Sequence, residues 1–171
     1  MTDNPIVLEV THPLFIKRET WLKSRLQDAL NQPFISFGEV ISKYEMGVYF
    51  IYDGQELLYI GMTTRPGHNR IKEIIGGFRK HTFNRKLMAQ YFRGRGYAMH
   101  VLSTANHKRD WIDNGLISPD EFMEVQREVN NSIKQTLRFK FYEFRFFNIE
   151  FLEHYAIATL QPLYNDRRYN T

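Results

Sequence analysis

The sequence predicts an α+β protein. Three observations carry that expectation: a β-hairpin pattern at residues 47–61, a further alternating run at 97–103, and helical apolar stripes segregated around these runs. The hairpin is the clearest of the three. Residues 48–52 are all aromatic or β-branched and 57–60 are apolar and end in Tyr59-Ile60, and Asp53-Gly54 between them readily supplies the positive φ of a tight turn. A three- or five-residue loop around Gly54 would set Tyr49 directly opposite Tyr59, on one sheet face and ~5 Å apart at Cβ.

With 171 residues the chain fits one domain with a substantial core. Hydrophobic content of 43% and charged content of 25% are ordinary for a folded protein. Cysteine is absent, which excludes disulfides and thiolate metal sites. No apolar run approaches the roughly 20 residues of a membrane span, and the N-terminus lacks a signal-peptide pattern. A cytoplasmic protein with no membrane partner is the expectation.

Taken in order, residues 1–15 show no periodicity. Residues 19–31 read as a helix with Trp21, Leu22, Leu26, Ala29 and Leu30 on one face, ended by Gln32-Pro33. After the hairpin, 62–69 is a loop containing Arg65-Pro66-Gly67. A helix over 68–75 follows, with Ile71, Ile74 and Ile75 on one face and Gly76-Gly77 as its stop. His81 precedes a helix over 83–92, and 97–103 alternates as a third strand. Ser118-Pro119-Asp120-Glu121 is a strong helix start, with Ser at the cap, Pro first and Glu three after Ser, and the helical face runs to about 137. Residues 139–147, six of nine aromatic, read as a strand. The last helix covers 149–160, before Pro162. Glu153 falls within its apolar stripe of Ile149, Leu152, Ala156, Ile157 and Leu160, where an ionised carboxylate needs an arginine or a metal ion to compensate it.

The net charge of +4 and pI near 9.3 conceal a sharper asymmetry. From Arg70 to Asp110 ten basic residues stand against two acids, whereas from Trp111 to Leu137 five acids stand against two bases. The basic block carries interleaved aromatics (Phe78, Phe83, Tyr91, Phe92, Tyr97), which suits a phosphate backbone as well as a solvated surface.

Gly47-Val48-Tyr49 followed by Tyr59-Ile60-Gly61, with ten residues from tyrosine to tyrosine, resembles the double signature of the GIY-YIG nuclease family. Arg70, eleven residues past Tyr59 at a helix start, resembles the family's arginine, with the Pro-Gly loop absorbing one extra residue. Arg65 in that loop is the competing candidate. His81-x-x-Asn84-Arg85-Lys86-Leu87 resembles members with a histidine and a lysine-leucine pair at this place. Leu152-Glu153 and the later Pro162-Leu163-Tyr164-Asn165, with twelve residues from Glu153 to Asn165, resemble the family's terminal motif. The resemblance covers about 47–103 and 148–165.

What the resemblance implies is a central three-stranded antiparallel sheet flanked by helices, with a core of 47–103 and 148–171, an N-terminal extension (1–46) and an insertion (104–147). The implied activity is a metal-dependent DNA endonuclease that hydrolyses phosphodiester bonds, of the restriction or mobile-element kind. Its partner would be double-stranded DNA, and a homodimer would let a single-site chain cut both strands. Tyr49 would be the general base and Tyr59 would orient the water; the reverse assignment stays open, since a phenol pKa of ~10 makes either an awkward base. Arg70 would face the phosphate with paired donors. Glu153 would hold Mg²⁺ (or Mn²⁺), an ion that takes few protein carboxylates and acts as Lewis acid on phosphate oxygens. Asn165 would hold the far side of the site, and His81 would contact phosphate or orient a tyrosine. Two other classes remain in play: a non-catalytic nucleic-acid-binding module on the same scaffold, and a protein–protein module built on the acidic helix at 119–137.

Overall fold

A computed structural model describes residues 13–39, 44–77, 80–97, 111–145 and 149–165. Along the chain these form α1 (Pro13–Leu30), β1 (Ile35–Ser36), β2 (Gly47–Asp53), β3 (Glu56–Thr63), α2 (Gly67–Ile74), α3 (Thr82–Gly94), α4 (Pro119–Thr136), β4 (Leu137–Glu143) and α5 (Ile149–Leu160). The strands make one antiparallel sheet in the order β1-β4-β2-β3, in a mixed α+β arrangement.

The sheet has four strands where three were expected, and two of the four come from unexpected places. β4 lies within the range taken for an insertion, yet it pairs with β2 along the whole of that strand, from Gly47↔Glu143 to Asp53↔Leu137. Its buried Leu137, Phe139 and Phe141 alternate with the more exposed Arg138, Lys140 and Tyr142, the period-2 pattern that such a position selects. β1 comes from the N-terminal extension and pairs with β4 through Ile35↔Phe139. The strand expected at 97–103 lies, past Tyr97, outside the described residues.

The hairpin closes differently from the expected register. Asp53 pairs with Glu56 around the two-residue loop Gly54-Gln55, with Gly54 at φ +56°. A bulge at Leu58 then shifts the pairing, so that Ile51 faces Tyr59 and Tyr49 faces Gly61. Tyr49 and Tyr59 are therefore diagonal neighbours and not opposed. They still share a face, because the extra residue restores the parity that a two-residue loop alone would have broken.

Each sheet face has its own core. On one, Val48, Phe50, Tyr52 and Ile60 pack against Leu26 and Ala29 of α1 and Ile149, Leu152 and Ala156 of α5. On the other, Tyr49, Ile51, Phe139 and Phe141 pack against Ile71 and Ile74 of α2, Phe83, Leu87, Met88 and Phe92 of α3, and Phe122, Val125, Val129 and Ile133 of α4. Full burial of side chains of this size contributes about 1.5–3 kcal/mol each, which is why both stripes are continuous. The α4 start behaves as its sequence reads: Ser118 Oγ accepts the Glu121 N–H at 3.1 Å, and Pro119 takes the first helical position. None of the helices among the described residues is long and apolar enough to cross a membrane.

β3 is the outer strand, and its free edge is partly occupied by the chain after α5. The Leu163 and Tyr164 N–H groups donate to Leu57 and Leu58 carbonyls at 3.3 and 2.8 Å. Next to them the Asn165 side chain reaches the same edge at Ile60.

Candidate active site

Tyr49 stands in the middle of β2 with no exposed surface. Its phenol lies across β3 above Gly61, where a Cβ would collide with the Tyr49 hydroxyl and ring. That close approach is the physical reason for glycine at position 61. The phenol oxygen meets two side chains from the following helices. His81 Nε2 lies 2.7 Å away, and Arg70 Nε donates to it at 3.3 Å.

The position of His81 fixes its tautomer. It is the N-cap of α3, and its Nδ1 accepts the Phe83 N–H at 3.1 Å. Nε2 therefore carries the ring proton and donates to Tyr49 Oη. Burial pushes the imidazole well below its ordinary pKa, and the Arg70 and Arg85 charges push the same way, so the ring is neutral near pH 7. Tyr49 Oη is thus the acceptor of two N–H groups, an arrangement that favours phenolate. Burial and the neighbouring Tyr59 push its pKa upward, against the pull of Arg70. At rest burial wins and the phenol keeps its proton.

Tyr59 lies beside this trio, its ring centroid 6.4 Å from that of Tyr49 and 5.6 Å from that of His81. It belongs to the same sheet face but also lines a cleft of roughly 220 Å³ at the free edge of β3. Thr82 and Lys86 of α3, Glu153, His154 and Ile157 of α5, and Asn165 complete its walls. The sheet edge lets residues from both helical layers meet there.

Glu153 is half-buried, and among the described residues no salt bridge reaches it. Burial pushes its carboxyl up, opposed by His154, by a hydrogen bond from the Met62 backbone and by Arg70. The buried arginine that could have made it purely structural is not found among those residues. A carboxylate with no salt bridge among the described residues, in the wall of a cleft, fits a divalent cation. No group of three or more ligating side chains occurs among the described residues. The ion suited to such a site keeps most of its waters, as Mg²⁺ does. Glu150, one turn earlier, is exposed.

Asn165 serves the edge of β3. Its Oδ1 accepts the Ile60 N–H and its Nδ2 donates to the Ile60 carbonyl, both at 2.8 Å, so the side-chain amide copies a strand neighbour. Lys86 Nζ donates to the Tyr164 carbonyl at 2.6 Å and so holds the same segment from the other layer.

Arg70 and Arg65, weighed as alternatives in the sequence, turn out to share a partner. Arg70 Nη1 and Arg65 Nη2 both reach Glu73 Oε2, at 2.9 and 3.0 Å. Although burial opposes it, the arginine pair holds the Glu73 carboxyl below its ordinary pKa. Sequence reasoning missed Glu73, whose i+3 spacing from Arg70 was the available signal. It also missed Thr82 and His154, for which no spacing rule would have singled out the residue.

The structure therefore makes two adjoining groups of the six candidates. Tyr49, Arg70 and His81 form a buried hydrogen-bonded trio; Tyr59, Glu153 and Asn165 line the cleft. Comparison of the chain with protein-family models, curated proteins and solved structures returned no match.

Proposed function

We propose that the chain is a metal-dependent phosphodiesterase acting on nucleic acid. More particularly, we infer a DNA endonuclease of the GIY-YIG type, working on double-stranded DNA in a restriction or mobile-element role. The observation that carries this reading is the double N–H donation to Tyr49 Oη by His81 and Arg70. A core tyrosine needs one hydrogen bond to be satisfied; this one has two donors, one with its tautomer set by a helix cap and one charged.

In this reading Tyr49 first loses its own proton to bulk water when substrate opens the site, and the phenolate so formed takes the proton of the attacking water. His81 Nε2–H and Arg70 Nε–H stabilise the phenolate as it forms, and the neutral imidazole does so without competing for the proton. Tyr59, which reaches the cleft, orients the water. Tyr49 is closed off at rest, so contact with water requires Arg70 or the Tyr59 ring to move when substrate arrives. Arg70 would exchange Glu73 for a phosphate oxygen. Glu153 would hold a divalent cation, which when bound supplies Lewis-acid stabilisation of the phosphate and the leaving oxygen. Lys86 adds positive charge to the cleft wall, and Asn165 keeps the 163–165 segment in place. One such site cuts one strand, so double-strand cutting calls for a second copy of the chain.

The full burial of Tyr49 favours a second reading, a non-catalytic nucleic-acid-binding module on the same scaffold. One experiment separates them: incubation of duplex DNA with the purified chain in Mg²⁺ or EDTA, beside Tyr49→Phe and Glu153→Gln, with binding measured in parallel. The nuclease reading expects Mg²⁺-dependent cuts by the unaltered chain alone, with DNA still bound by both variants. Binding without cleavage by any of the three would favour the module, and neither binding nor cleavage would sink both.

A further inference from the structure

The Arg65–Glu73–Arg70 contact carries more than a choice between two arginines. Two guanidinium groups converge on a single carboxylate oxygen, 2.9 and 3.0 Å away, an arrangement that phosphate oxygens satisfy equally well. The two arms are not equivalent. The Arg70 side chain is 25% exposed and is also tied to Tyr49, whereas that of Arg65 is 59% exposed. Its backbone is anchored, since Thr63 Oγ1 accepts the Arg65 N–H and donates to the Arg65 carbonyl. An exposed ion pair of this kind is weak, so the Arg65 side chain can leave Glu73 at little cost while its Cα stays in place.

Arg65 also opens onto a second cleft, roughly 340 Å³, whose walls include Tyr44, Met46, Thr64, Pro66 and His68. The Tyr44 ring is stacked on Phe141 at 4.7 Å and 26°, a packing that leaves no room for a Cβ at Gly67. The wall it forms is thus rigid and aromatic. His68 Nδ1 is buried there without a hydrogen-bond partner. Glu45, the acidic residue of the wall, faces Arg145 at 3.8 Å. A flat apolar wall and a movable guanidinium suit a nucleoside with its phosphate.

We propose that Arg65 and this cleft form a second phosphodiester subsite, which takes the nucleotide adjoining the phosphate held at Arg70, and that Glu73 occupies both arginines until nucleic acid displaces it from Arg65. This rests on the nuclease reading for the identity of the ligand, but the anion site itself does not. Glu73 then acts as a resting occupant that lowers affinity for any polyanion unable to fill both positions.

The test is duplex DNA binding in EDTA, so that no strand is cut, measured across a range of salt for the unaltered chain, Arg65→Ala, Glu73→Gln and the double variant. Arg65→Ala should weaken binding about tenfold and reduce the slope of log affinity against log salt by about one, the loss of a single phosphate contact. Glu73→Gln should tighten binding about three- to tenfold when Arg65 is present and by clearly less in the Arg65→Ala chain, where only Arg70 is released, the non-additivity expected of groups in contact. An unchanged salt slope in Arg65→Ala, or a Glu73→Gln effect equal in both backgrounds, overturns the subsite. If the unaltered chain binds no DNA at all, the nuclease reading fails. The anion site is then judged by titrating inorganic pyrophosphate against the arginine Nε–H resonances. A shift at Arg65 that grows in Glu73→Gln supports it, and an unmoved Arg65 resonance rejects it.

Discussion

Glu153→Gln tests the candidate site most directly, because the structure predicts a gain where a structural role predicts a loss. The substitution keeps the side-chain volume and removes a half-buried charge with no salt bridge among the described residues. Full burial of an unpaired carboxylate would cost several kcal/mol; for a partly solvated one flanked by His154 and the Met62 backbone, about 1 kcal/mol is reasonable. For a chain of 171 residues that gain raises Tm by about 2–4 °C. The pH dependence has a definite sign. A carboxyl whose folded-state pKa is raised favours folding when protonated, below the ordinary 4.5, and loses that contribution as pH rises through the folded value. Glu153→Gln should therefore match the unaltered chain in acid and exceed it at neutral pH. Metal reverses the order. Mg²⁺ at ten times its dissociation constant adds about 1.4 kcal/mol to the chain that binds it, enough to outweigh the loss, and nothing to Glu153→Gln. Thermal melts in EDTA and in Mg²⁺, at several pH values, read all of this from one pair of proteins. A Glu153→Gln chain that melts lower in EDTA at neutral pH would refute the reasoning, as would an equal Mg²⁺ shift in both.

Three further outcomes follow from the geometry. Tyr49→Phe removes the acceptor of a buried His81 N–H, so urea denaturation should show a loss of about 1–3 kcal/mol despite the removal of a buried hydroxyl; an unchanged midpoint would mean that bond contributes nothing. Gly61→Ala drives a methyl into a ring held by His81 and Arg70 and should cost about 1–3 kcal/mol, together with any cleavage activity, whereas Gly94→Ala, with nothing within 4 Å, should be neutral by the same measurement. Asn165→Asp can still accept from Ile60 N–H but sets a carboxylate against the Ile60 carbonyl; the loss in stability should be largest at neutral pH and shrink in acid, where a protonated Asp can donate again.

Local chemistry carried the sequence reading far, and long-range pairing limited it. The last helix spans Ile149–Leu160, as its apolar stripe and the following Pro162 indicate. α4 starts at Pro119 for the capping reasons its first residues announce. The four-strand sheet was not legible, because nothing in Ile35-Ser36 marks a strand until Phe139 is there to pair with it. The 139–147 run was read as β-like, but its place beside β2 depends on a partner about ninety residues away, and spacing rules do not reach that far. The hairpin register failed for a narrower reason: loop length and bulge trade against each other, and parity constrains only their combination. The candidate residues each sit at an element end or on a defined face, so their places in the elements were easier to read than the topology around them. What they do to one another, such as the His81 tautomer and the shared Glu73, needed distances.

The bulge at Leu58 joins the fold to the site. Tyr49 and the apolar face beneath it belong to the layer of α2, α3 and α4, whereas Glu153 belongs to α5 on the other side of the sheet. A carboxylate and a tyrosine separated by a central strand could not meet. They can share a cleft only because β3 is an edge, and Tyr59 can line that cleft only because the extra residue turns it to the face of Tyr49. The same residue leaves its carbonyl pointing outward, where Tyr164 N–H takes it up at 2.8 Å and delivers Asn165 to Ile60. An unpaired edge is ordinarily a liability for a sheet. Here the chain after α5 covers part of it, and the cleft lies beside that covered stretch.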